Sequence, residues 1–323
     1  FQKVQDSFLL IADEAHNMGA KNIRKAMSKI TSPKRIGLSA TPKRIYDLEG
    51  TDAIDLFFKD KEPYTYSFGM KMALDAGFLT QYKYYPRIVE LTEEEQLEYD
   101  EISDKLLKFF DFEAGKFKDN PMVEMLLMKR KGIIHKAENK LNLFLDIISD
   151  LNRNKKDKYV FAYIPEGYLD IGVDKERILE QYIKKTHEKF PELKMNSYTN
   201  IDQQLDEILR GFSEGKIDLL FAMKMLDEGV DVPRAEVGIF ASSTGNPRQF
   251  IQRRGRLLRK HKEKNYATIY DMIVIPHSRF SDSRQNRIEK NMVKAELNRV
   301  AYFSSLALNF YDSKDELDGL CRK

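Results

Sequence analysis

From Glu138 onward the chain alternates short apolar segments with amphipathic helical ones, and this alternation restricts its fold more than any other feature. Leu141, Phe144, Leu145 and Ile148 recur at i, i+3, i+4 and i+7, which is one stripe of a helix. Residues 159–164 read as a strand closed by Pro165-Glu166-Gly167, residues 174–190 as a helix, and residues 193–199 as a strand. Leu205, Ile208, Leu209 and Phe212 mark a second helix stripe, stopped at Gly215. Residues 217–223, 236–241 and 267–275 read as further strands, with a helix over 247–259. Strands joined through helices of this length require right-handed crossovers, so the expected class is α/β: parallel sheets with helices on both faces.

The N-terminal part follows the same rule in shorter form. Phe8-Leu9-Leu10-Ile11-Ala12 is a continuous apolar run that reads as a buried parallel strand, and a second strand fits residues 35–40 before Pro42 stops it. Residues 91–136 are helical in composition. Thr92 with Glu95 forms a capping box, and Asn120-Pro121 places an N-cap before a proline at the first helical position. The tail from 282 to about 311 is again helical in pattern, and no internal repeat or low-complexity segment interrupts the chain. The expected division is 1–90, 91–136, 137–281 and 282–323.

The chain has 323 residues, 33% of them charged and 42% hydrophobic, which suits a globular protein and excludes a disordered one. No apolar run approaches the ~18–20 residues of a membrane span, and the first residues lack the apolar core of a signal peptide. The single cysteine, Cys321, cannot form an internal disulfide, which points to a reducing, cytoplasmic setting. The formal charge is only +3, but it is unevenly spread: residues 248–264 carry eight basic residues and one acid, leaving the rest of the chain net acidic. The chain begins at Phe, so it is expected to be part of a longer protein.

Asp13-Glu14-Ala15-His16 stands at the carboxyl end of the first apolar strand, where ligands bind in open α/β sheets. An acidic pair there can divide two tasks, one carboxylate holding Mg²⁺ and its neighbour polarising a water. Alone, the pair is better explained as an ordinary acidic turn. Context reverses that. Ser39-Ala40-Thr41-Pro42 follows the next strand, Asp227-Glu228-Gly229-Val230-Asp231-Val232-Pro233 comes far downstream, and Gln252-Arg253-Arg254-Gly255-Arg256-Leu257-Leu258-Arg259 comes after it.

In this order the four segments resemble motifs II, III, V and VI of superfamily 2 helicases and translocases, of the DEAD/DEAH-box type. The likeness covers residues 7–276, and the text around Gly77-Phe78-Leu79 and Leu91-Thr92 is similar to the group of XPB-type repair helicases and restriction-subunit helicases. The resemblance implies RecA-like parallel sheets: the second half of a first lobe, a helical connector, a complete second lobe and a C-terminal helix. It implies ATP and Mg²⁺, with Asp13 as the metal ligand and Glu14 placing the attacking water. Arg256 and Arg259, three apart on the expected helix, would act on the γ-phosphate. Gln252 would reach the nucleotide or His16, and His16, Gly229 and Asp231 are further nucleotide-site candidates. Ser39 and Thr41 would couple the nucleotide site to the nucleic-acid track. Candidates for the phosphate backbone are Thr199, Lys224, Ser243 and Thr244. For each of these the ordinary explanation is a loop hydroxyl or solvated lysine. Arg253 and Arg254 point away from the Arg256/Arg259 stripe and read as solvated.

The chain contains no G-x-x-x-x-G-K-[ST] segment. That box supplies the backbone amides and lysine that hold the β- and γ-phosphates, and in the family it lies upstream of motif II. The 323 residues alone are therefore expected to bind and hydrolyse ATP poorly. The leading expectation is part of an ATP-dependent DNA helicase or double-strand translocase. The alternatives are a restriction-system motor working beside nuclease or methyltransferase subunits, an RNA helicase, or an inactive nucleic-acid-binding module. DNA is favoured over RNA by resemblance, and no membrane partner is expected.

Overall fold

The structure is a computed structural model, and it describes residues 8–30, 32–44, 47–111, 113, 116–171, 174–199, 205–223, 232, 234–242, 254–277 and 297–313. These fall into two compact units, one over residues 8–75 and one over the described residues from 76 onward.

The first unit contains β1 (Leu9–Ala12), a 3-10 helix (Ala15–Gly19), α1 (Lys21–Met27), β2 (Lys34–Gly37), α2 (Leu48–Phe58) and α3 (Met70–Asp75). β1 and β2 pair in parallel with Leu9 opposite Lys34 and Ile11 opposite Ile36. The pairing runs past the strand ends, because the Leu38 N–H donates to the Ala12 carbonyl and the Ala15 N–H to the Leu38 carbonyl. Arg35 ties this layer to its surroundings: its guanidinium donates to the carbonyls of Ser32, Phe57 and Ile30 and lies 4.0 Å above the Phe57 ring. The first apolar run is not the buried strand expected. Leu9 and Ile11 are 51% and 58% exposed, and β1 pairs with β2 alone among the described residues.

The second unit is built on six parallel strands. They are β3 (Tyr82–Val89), β6 (Val160–Tyr163), β9 (Met195–Tyr198), β10 (Leu219–Ala222), β11 (Val237–Phe240) and β12 (Ala267–Val274). They lie in the order β3-β12-β11-β6-β10-β9. Every residue of β6, β10 and β11 is buried, as expected of central parallel strands. The chain runs from β6 outward to β9, back to β10, and then across to β11, so the topological switch lies at β6. Helices α6 (Asn139–Arg153), α7 (Ile178–Lys189) and α8 (Leu205–Ser213) make crossovers or flank the sheet, and Phe144 of α6 packs on Tyr182 and Phe221 at 5.2 and 5.8 Å between ring centres. Gly215 ends α8 with φ +74°, which a side chain would oppose.

Helices α4 (Glu93–Leu107) and α5 (Pro121–Lys136) pack together, with a small antiparallel pair β4 (Phe110–Asp111) and β5 (Lys116–Phe117) between them. The capping box at Thr92 and Glu95 and the Asn120 cap both form. Lys140 is wholly buried and donates to the Ile134 and His135 carbonyls, satisfying the end of α5.

Two expectations are corrected. Residues 82–89 fall within the first of the expected divisions, yet β3 pairs with β12 over its whole length and so belongs to the second unit. Residues 174–190 are not one helix. β8 (Asp174–Arg177) pairs with β7 (Tyr168–Ile171) in a hairpin, and α7 begins at Ile178, where the apolar stripe begins. β3 is an edge strand whose outer side is covered by the tail. The Asn309 side chain accepts from the Tyr84 N–H and donates to the Tyr84 carbonyl, and the Leu308 N–H donates to the Tyr82 carbonyl. Pro86, two residues on, has no N–H to leave unpaired on that side. The helical parts of the tail that are described cover residues 297–305 and 310–313.

Candidate functional site

In the first unit, β1 delivers Asp13 and Glu14 to the carboxyl end of the sheet. Asp13 is exposed, and one of its carboxylate oxygens accepts the Glu14 N–H at 2.8 Å. Glu14 adopts a left-handed conformation, φ 46° and ψ 46°, which turns the chain sharply into the 3-10 helix. That turn places His16 beneath the acidic pair. His16 is 3% exposed, and its Nδ1 lies 2.9 Å from Ser39 Oγ and 3.2 Å from Glu14 Oε2. The Thr41 N–H donates to Ser39 Oγ at 3.2 Å. His16, Ser39 and Thr41 therefore form one hydrogen-bonded group, with Glu14 Oε2 at ion-pair distance from the imidazole.

Arg44, which sequence reasoning did not single out, fixes this group from below. Its Nη1 donates to the His16 carbonyl at 2.8 Å, and its Nε donates to Asp47 Oδ2 at 2.9 Å. Asp47 in turn caps α2 by accepting the Gly50 N–H. The signal was a basic residue two places beyond the Ser-Ala-Thr-Pro segment.

Asp13 suits Mg²⁺ only in a particular way. It is a single exposed carboxylate, and among the described residues no group of three or more His, Cys, Asp or Glu side chains is assembled to hold a metal. Mg²⁺ commonly takes one or two protein carboxylates together with substrate phosphates, and Asp13 fits that arrangement rather than an all-protein cage.

In the second unit, residues 254–257 form a helical turn, closed when the Leu258 N–H donates to the Arg254 carbonyl and the Arg259 N–H to the Arg256 carbonyl. Arg256 is half-buried and Arg259 exposed. Arg259 leaves the turn to pair with Leu79, and the Thr80 N–H donates to the Leu258 carbonyl. Arg256 thus lies within this turn and Arg259 beyond it, while residues 247–253 of the helix expected there lie outside the described residues.

Arg254 is the clearest correction. It is not solvated but buried, with Nη2 2.6 Å from Asp271 Oδ1. Burial draws its guanidinium below its ordinary value, while the Asp271 charge pulls the other way. Lys264, at the end of the basic run, is also buried and donates to the Leu257 and Ala235 carbonyls. Part of the local positive charge is therefore structural. The available signal was Asp271 itself, an acid in the middle of the apolar run of β12, which had to find a cation. Thr199 lies buried directly after β9. Gly229, Asp231, Gln252, Lys224, Ser243 and Thr244 lie outside the described residues.

Residues 139–261 match the family model of the helicase conserved C-terminal domain, and residues 2–44 match that of the type III restriction enzyme res subunit. The two models and the long relative below make the chain similar to helicases and translocases, with the long relative of XPB type. The chain is 26% identical over 295 residues to the DNA 3'-5' translocase XPB2 of Sulfurisphaera tokodaii, covering 86% of this chain and 61% of that protein. It is 23% identical over 299 residues to putative helicase 22 of a Sulfolobus islandicus filamentous virus, covering 92% of this chain and 47% of that one. It therefore spans between about half and three fifths of the length of these relatives. Among solved structures, the Hef helicase domain of Pyrococcus furiosus aligns with a TM-score of 0.45 at 14% identity, over 88% of this chain and 73% of that one. Among the described residues no helix is long and apolar enough to cross a membrane.

Proposed function

We propose that the chain is the motor part of an ATP-dependent DNA helicase or double-strand translocase. The observation that carries this reading is the Glu14–His16–Ser39 group. It joins the carboxylate that would orient the attacking water to a hydroxyl on the neighbouring strand end, through a buried imidazole. Asp13 would hold Mg²⁺, whose charge neutralises the transferring phosphoryl oxygens. Glu14 would accept a hydrogen bond from the water and orient it in line with the γ-phosphate. Arg256 and Arg259 would stabilise the negative charge that develops there, with Gln252, Gly229 and Asp231 completing the nucleotide contacts. Ser39 and Thr41 would report nucleotide state toward the nucleic-acid track, where Thr199, Lys224, Ser243 and Thr244 are the proposed phosphate contacts. No G-x-x-x-x-G-K-[ST] segment occurs in these 323 residues, so hydrolysis is assigned to a gene product that carries one.

ATP hydrolysis by the full gene product, measured with single-stranded DNA, duplex DNA and RNA, tests the reading. Stimulation by DNA and a loss of at least 100-fold in turnover for Glu14→Gln, with ATP still bound, are expected. Undiminished turnover in Glu14→Gln would sink the assignment.

The match of residues 2–44 to the restriction res subunit supports a second reading, a restriction-system motor. Co-purification with a nuclease or methyltransferase subunit would favour it.

A further inference from the structure

Beside the motif VI arginines lies a buried charge cluster that the proposed chemistry does not use. Arg254 is 2% exposed and Asp271 is 0%. The Tyr84 hydroxyl donates to Asp271 Oδ2 at 2.7 Å, opposite the Arg254 contact on Oδ1. Arg299, on the helical segment 297–305, brings a second guanidinium to Oδ2 at 3.8 Å. The Arg254 guanidinium also lies 4.2 Å above the Phe240 ring, so it is fixed between β11 and β12.

The turn that carries Arg256 is held at its other end as well. Lys264 Nζ donates to the Leu257 carbonyl at 2.8 Å. Leu257 packs on bare backbone at Gly238, where an added Cβ would stand 2.5 Å from Leu257 Cδ2. A buried ion cluster is a poor source of stability, since apolar residues of similar volume often serve as well. What it provides here is a fixed location for the residue two places before Arg256 and five before Arg259.

We propose that Asp271 is a positioning residue for Arg256 and Arg259, fixing their turn through Arg254 and joining the C-terminal helical segment to it through Arg299. The proposal rests on the reading of those two arginines as phosphate ligands, and its test separates the two ideas. Asp271→Asn keeps the side-chain shape and a partner for Tyr84 and removes the charge. In the full chain, hydrogen exchange at residues 254–260 and 297–305 is expected to rise at least tenfold, with β6 and β10 within twofold of wild type. Unchanged exchange at 254–260, or uniform acceleration across the sheet, overturns the proposal. Should Asp271→Asn not fold, Arg299→Met decides. It removes only the outer partner and is expected to raise exchange at 254–260 at least threefold, and no rise overturns the proposal.

In the gene product that hydrolyses ATP, Asp271→Asn is expected to lower kcat at least tenfold with KM for ATP within threefold, since the arginines act on the transition state. A raised KM with kcat unchanged counts against the proposal. A wild type without ATPase activity overturns the nucleotide reading alone and leaves the exchange measurement to decide the lock.

Discussion

His16 Nδ1 lies 2.9 Å from Ser39 Oγ, joining the turn after β1 to the turn after β2 across 23 residues of sequence. The contact depends on strand pairing. β1 and β2 run parallel in register, so their carboxyl ends are neighbours, and the residues that follow each strand meet. Ser39→Ala removes this contact and an acceptor for the Thr41 N–H, and keeps the approach of Glu14 to His16. The ratio of DNA-stimulated to basal ATP hydrolysis in the full gene product is expected to fall at least threefold. An unchanged ratio would exclude Ser39 from coupling.

The 3-10 helix that carries His16 sits tightly on α2. A Cβ added at Gly19 would stand 2.6 Å from the Gly50 carbonyl oxygen, a backbone atom that cannot swing aside. Gly19→Ala is therefore expected to destabilise the first unit by about 1–3 kcal/mol. Denaturant unfolding followed by probes in each unit checks this, and the second unit's transition should not move.

Asp47 gives the first unit an acid-sensitive helix cap. The Gly50 N–H, and after it the Arg44 guanidinium, hold its carboxyl below the ordinary carboxylate value. A lowered folded-state value means that the stabilisation is complete above the unfolded value and is lost as pH falls through the folded one. Asp47→Asn should flatten the acid limb of the first unit's stability profile, read by circular dichroism between neutral and acid pH. An acid limb as steep as wild type would refute this.

The capping box of α4 is expected to contribute in the ordinary range. Thr92→Ala removes the acceptor for the Glu95 N–H and should cost about 1 kcal/mol. Glu95 also accepts the Glu138 N–H, so Glu95→Ala should cost more than Thr92→Ala. Thermal unfolding of the two variants checks the order.

Several elements could be read from local chemistry alone. The helix stripes of α6 and α8, the caps at Thr92 and Asn120, the strands β6 and β9 to β12 and the stop at Gly215 all depend on residues within a turn or two of one another. The acidic pair at a strand end and the downstream arginine segment were legible for the same reason: each is a local pattern. What the tertiary structure alone decided are relations between distant segments. Residues 82–89 are not singled out by the sequence, and only their pairing with Ala267–Val274 makes them β3 of the second unit. Arg254 reads as solvated because charged residues usually are, and only the fold brings it to Asp271 and Tyr84. Arg44 is marked in the sequence only by its place two residues beyond Ser-Ala-Thr-Pro, and it matters because the chain folds its guanidinium under the His16 carbonyl. Periodicity and capping act over a few residues and are written in the sequence. Burial of a charge depends on which remote group arrives beside it, and that is settled only when the sheet closes.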